Sequence, residues 1–93
     1  MARYRVVHWR EIPAVVEAFE GDEMVRLPLS PRFQDLIDAV AMREGGSESD
    51  AYLESWGQGP EGERAGPPDR VARAVADELE ARFPELVARR FAT

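Results

Sequence analysis

A chain of 93 residues and 10.5 kDa, 44% of it hydrophobic, matches one domain with a modest core and has little material for a second. Its 18 acidic and 12 basic residues give a net charge of −6, which opposes nucleic acid, anionic lipid and other polyanions. With no cysteine there are no disulfides, thiolate metal sites or cysteine nucleophiles, and no stretch is apolar enough to suggest a membrane span. The opening MARYRVVHWREIP lacks the apolar core of a secretion signal, so the expected location is the cytoplasm. Every basic residue is arginine, and lysine and asparagine are missing, the usage of a GC-rich bacterial gene.

Residues 3–29 combine valines and aromatics with the punctuating Pro13 and Gly21-Asp22, and they lack a helical period. That pattern predicts a meander of three strands, from about Arg3 to Trp9, Ala14 to Glu20 and Glu23 to Leu29. Gly21-Asp22 suits a two-residue hairpin turn, because glycine takes the positive φ such turns demand. The turn fixes the register, setting Phe19 opposite Met24, Ala18 opposite Val25, Glu17 opposite Arg26 and Val16 opposite Leu27. Val16, Ala18, Val25, Leu27 and Leu29 then share the core face. The other face carries a Glu17–Arg26 ion pair beside Phe19 and Met24 and is half apolar.

Ser30-Pro31 has the form of a helix start, a capping serine followed by a proline at the first helical position. Phe33, Leu36, Ile37, Val40 and Ala41 form one buried stripe, and Gly45-Gly46 ends it. Ser47 or Ser49 is expected to cap a short second helix whose apolar side is Tyr52, Leu53 and Trp56, with Gly57 as its stop. Residues 57–68, rich in glycine and proline, read as a mobile loop within the domain. The longest helix follows, with Val71, Ala74, Val75, Leu79 and Phe83 as its stripe and a kink or break at Pro84 before a last turn through Leu86, Val87 and Phe91. Strands first and helices after predict an α+β domain, a three-stranded antiparallel meander followed by three helices packed on one face.

No chemical motif emerges. His8 is the single histidine, so any Ser-His-Asp or histidine–metal arrangement must run through it, and a strand histidine beside a tryptophan reads as a packed structural residue. No serine sits in a nucleophile elbow. Asp35 and Asp38 lie off the buried stripe as a solvated face would, and Glu48, Asp50 and Glu54 miss the spacing of a calcium loop. Neither glycine-rich stretch matches a phosphate-binding loop. The expectation is a protein that is not an enzyme and has no catalytic residues, metal or cofactor. MVRLPLSPRFQDLIDAVAMREGGSESDAYLESW does follow the element order of a ribbon-helix-helix DNA-binding unit. Its groove-facing residues would be Met24, Arg26 and Pro28, and only the arginine donates to bases, which makes nucleic acid an unfavoured partner.

The residues Trp9, Arg10, Ile12, Pro13 and Ala14, then Leu27, Pro28, Phe33, Gln34, Ile37 and Asp38, then Asp50, Ala51, Tyr52, Leu53 and Trp56 carry a resemblance to the small bacterial "virulence factor" family. The same stretch is similar to a region of conserved virulence factor C, and the resemblance continues weakly through ELEARFPELV. In longer relatives such a segment lies between an iron–sulfur-scaffold-like domain and HEAT-type repeats, which implies a domain that works beside others. The resemblance brings no catalytic residue. The expected function is a non-enzymatic interaction or accessory module with a protein partner, a second copy of the chain being one candidate. The alternatives are the ribbon-helix-helix regulator and a small non-catalytic subunit that completes a partner enzyme. Trp9, Arg10, Phe19, Met24, Arg26 and Trp56 are the candidate contact residues, since tryptophan and arginine dominate hot spots, although both tryptophans also suit a core.

Overall fold

The computed structural model describes residues 1–43 and 50–91. The meander is present: β1 (Ala2–Trp9), β2 (Ile12–Glu20) and β3 (Glu23–Pro28) are antiparallel neighbours. Gly21 takes φ 61°, and the β2–β3 register is the one the turn demands, with Phe19 opposite Met24 and Glu17 opposite Arg26. Between β1 and β2 the pairing slips by one residue after Val7–Val15, so Ala14 is the extra residue of a bulge. Its carbonyl accepts from the Leu29 N–H at 2.9 Å, which ties the exit of β3 to the bulge.

The segment expected as a loop over residues 57–68 instead contributes sheet. Two short strands, β4 (Trp56–Gln58) and β5 (Gly62–Arg64), pair antiparallel with β1, and among the described residues the sheet has five strands in the order β3-β2-β1-β4, β5 also lying on β1. One of the glycines that resemble linker, Gly62, has a steric reason. A Cβ on Gly62 would stand 2.6 Å from the Tyr4 ring, which lies across the β5 backbone at the paired position.

Helix α1 (Pro31–Arg43) buries the predicted stripe Phe33, Leu36, Ile37, Val40 and Ala41. The Ser30 hydroxyl is not directed back along its own helix; it donates to Glu80 at 2.8 Å while the Ser30 N–H donates to the other carboxylate oxygen at 2.7 Å. Glu80 thereby fastens the start of α1 to the end of α3 (Pro68–Ala81), beside an edge-on Phe33–Phe83 contact at 4.9 Å. The inner face of α3 is Val71, Ala72, Val75 and Ala76, whereas Ala74, expected in the stripe, is exposed. Small alanines beside the valines let α3 lie close against β1, β2 and β3.

Among the described residues four helices stand where three were expected, because Pro84 breaks the last one outright. Arg82 closes α3, its N–H bonding back to Leu79, and Pro84 is the second residue of a new helix, α4 (Phe83–Phe91), where a missing donor costs nothing. Helix α2 (Asp50–Glu54) is short, and Trp56 belongs to β4 rather than to its apolar side. Leu53 is 63% exposed and leaves the expected core. The expected stop at Gly45-Gly46 and the caps at Ser47 or Ser49 lie outside the described residues. Among the described residues no helix is long and apolar enough to cross a membrane, and no group of three or more acidic or histidine side chains is placed to hold a metal ion.

Candidate functional site

Strand alternation gives the meander two distinct faces. Tyr4, Val6, Val16, Ala18, Val25 and Leu27 turn toward α1 and α3, while Arg5, Val7, Val15, Glu17, Phe19, Met24 and Arg26 share the other side. On that second face Glu17 is only 6% exposed, because arginines from both neighbouring strands cover it. Arg5 Nε donates to one carboxylate oxygen at 2.7 Å and Arg26 Nε to the other at 2.9 Å. The Arg5 guanidinium also lies 5.3 Å from the Phe19 ring centre, and Met24, opposite Phe19, is 50% exposed.

The hydrogen bond from Arg5, reinforced by the charges of Arg5 and Arg26, holds the Glu17 carboxyl below its ordinary 4.5 despite the opposing effect of burial. A depressed folded-state pKa means stability that is present above about pH 4.5 and lost as pH falls through the folded value. Glu17→Gln is expected to lower stability at pH 7 by about 1.5–3 kcal/mol, nearer the lower figure because Arg26 is open to solvent. Urea titrations at pH 7 and pH 3 check this: the variant should lose less than wild type on acidification, and equal losses would remove Glu17 from the acid sensitivity.

At the far end of β1 the side chains form an aromatic cluster. Trp9, 1% exposed, donates from Nε1 to the Tyr52 carbonyl at 2.9 Å, and its ring lies 5.7 Å from that of Tyr52. Tyr52 meets Trp56 edge-on at 6.0 Å, and Trp56 pairs with Trp9 across β1 and β4. Arg10 covers the Trp9 ring at 4.7 Å and holds φ 53°, a left-handed conformation that costs a non-glycine residue about 1–2 kcal/mol. A bond from its N–H to the Ser55 carbonyl at 3.0 Å keeps it there.

Behind this turn is a cleft of about 430 Å³ between the β1–β2 hairpin and the α3–α4 junction. Val6, Pro13, Leu79 and Leu86 supply its apolar surface, and Arg10, Arg82 and Arg89 its cations, opposed by Glu11 and Glu85. Arg82, at the junction, is followed at helical spacing by Leu86 and Arg89 of α4. His8 also lines the cleft, with its ring against Gly57 and Gly59, and its Nδ1 is buried with no hydrogen-bond partner among the described residues.

A family model described as "Virulence factor" matches residues 7–89, from the middle of β1 into α4. The chain belongs to the virulence factor family. No curated protein and no solved structure matches it. The virulence factor domain divides the six contact residues expected from its sequence into two groups. Phe19, Met24 and Arg26 lie together on the open sheet face. Trp9, Arg10 and Trp56 gather at the other end of β1, about 20 Å away at strand spacing, since Phe19 pairs with Arg3 rather than with Trp9. Trp9 is core, sealed by Tyr52 and Arg10, and presents no surface to a partner. The cleft was not foreseen. His8 gave the only signal, but its neighbours Leu79, Arg82, Leu86 and Arg89 are more than 70 residues away in the chain.

Proposed function

We propose that this virulence factor domain is a non-enzymatic interaction or accessory module that docks a protein partner on the sheet face turned away from α1 and α3. The supporting observation is the Phe19–Met24 apolar pair fixed beside the Arg5–Glu17–Arg26 unit on paired strands. Rigid apolar surface next to a pre-formed charge cluster binds at low ordering cost. Beside the Phe19–Met24 pair the face offers a cation outward: the Arg26 side chain is 61% exposed while that of Glu17 is 8% exposed, whereas Arg3, equally exposed, pairs with Glu61 and Glu63. Its complement is a protein segment that mixes apolar and acidic side chains. Self-association through this face ranks second, because a two-fold axis would set the arginines of one copy against those of the other.

A photo-crosslinking residue at Met24, with a control at exposed Asp77 on α3, tests the proposal in the native host. One protein should be captured from position 24 and not from 77, and its capture should fail in a folded Phe19→Glu, Arg26→Glu variant. Identical adducts from both positions, or capture that survives the double substitution, would sink the reading. Light scattering on purified wild type and variant identifies the case in which the partner is a second copy.

A further inference from the structure

We propose that the cleft between the β1–β2 hairpin and the α3–α4 junction binds a small organic monocarboxylate with an apolar body. Four observations converge there. The volume of about 430 Å³ is that of a small-molecule site. The apolar floor of Val6, Leu79 and Leu86 requires apolar substance in the ligand. Arg82 at the α3–α4 junction and Arg89 on α4 flank Leu86 at helical spacing, and neither has a carboxylate within 4.0 Å among the described residues. The His8 ring lines the same cleft, and its buried Nδ1 has no hydrogen-bond partner among the described residues, the kind of group that calls for an explanation.

The charge count selects the ligand. Among the arginine and carboxylate side chains that line the cleft, three arginines against Glu11 and Glu85 leave one net positive charge, which suits a single carboxylate better than a phosphate dianion. Guanidinium forks match carboxylate geometry directly. The setting reinforces the choice, since a cationic cleft on a chain of net charge −6 attracts anions locally. Strain at Arg10 on the rim, with φ 53°, fits a residue held in place for a site.

Titration of the isotopically labelled protein with benzoate and hexanoate, followed by NMR, tests the proposal without reference to the sheet face. Saturable shifts should appear at His8, Leu79 and Leu86. Benzyl alcohol, neutral, and phenyl phosphate, a dianion, should bind about tenfold more weakly or not at all. Arg82→Glu, Arg89→Glu should weaken benzoate at least about tenfold, while Arg70→Glu, Arg73→Glu on exposed α3 positions and Phe19→Glu, Met24→Lys on the sheet should not. The proposal is overturned if neither acid shifts His8 saturably, if the alcohol binds as well as the acid, or if the α4 variant binds normally. A peptide that binds through its free C-terminus while the small acids do not would also overturn it, in favour of a macromolecular ligand.

Discussion

Trp9→Ala should destabilise the protein by about 3–5 kcal/mol, the range for truncating a fully buried tryptophan. The side chain is 1% exposed, so its removal loses nearly all of its transfer free energy and leaves a cavity among Tyr52, Arg10 and Trp56. It also removes a bond from a side chain of β1 to the α2 backbone, leaving the Tyr52 carbonyl without its indole donor. Against a total stability of about 5–15 kcal/mol for a domain, a loss of that size brings the fold near its limit. Trp9→Phe should recover part of the loss but not the hydrogen bond. Urea denaturation checks both variants, and a change below about 1 kcal/mol for alanine would place Trp9 outside the core.

Ile37→Ala is expected to cost about 2–5 kcal/mol, because Ile37 is fully buried at the centre of the α1 stripe. The neighbouring Asp38 gives the contrast. It is exposed and accepts a hydrogen bond from Gln34 one turn earlier at 2.9 Å, an interaction worth only about 0.2–0.5 kcal/mol. Asp38→Ala should therefore shift the denaturation midpoint slightly and Ile37→Ala strongly. Similar effects from the two would mean that α1 is rotated about its axis.

The legible parts of the fold were those whose information is local. A glycine turn sets a register, a 3.6-residue period sets a buried face and proline ends a helix, so the β2–β3 pairing, the α1 stripe and the interruption at Pro84 could all be read from neighbouring residues. The Glu17–Arg26 pair followed from the same register. Arg5 as the second cation on Glu17 did not, because the β1–β2 pairing passes through a bulge and a left-handed Arg10 that no glycine announces.

Residues 57–68 show the limit most clearly. Glycine and proline describe what a backbone can do in isolation, and here they read as linker. What makes strands of Trp56–Gln58 and Gly62–Arg64 is the edge of β1, whose unpaired groups bind them while Tyr4 requires a neighbour without a side chain at Gly62. The sequence by itself determined the class, the order of the first elements and most of the core, since those depend on hydrophobic period and turn chemistry within a few residues. Only the tertiary structure decided the fourth and fifth strands, the seal over Trp9 and the cleft beside His8, because each depends on groups dozens of residues apart whose approach costs chain entropy and is repaid only when the whole sheet and its helices close together.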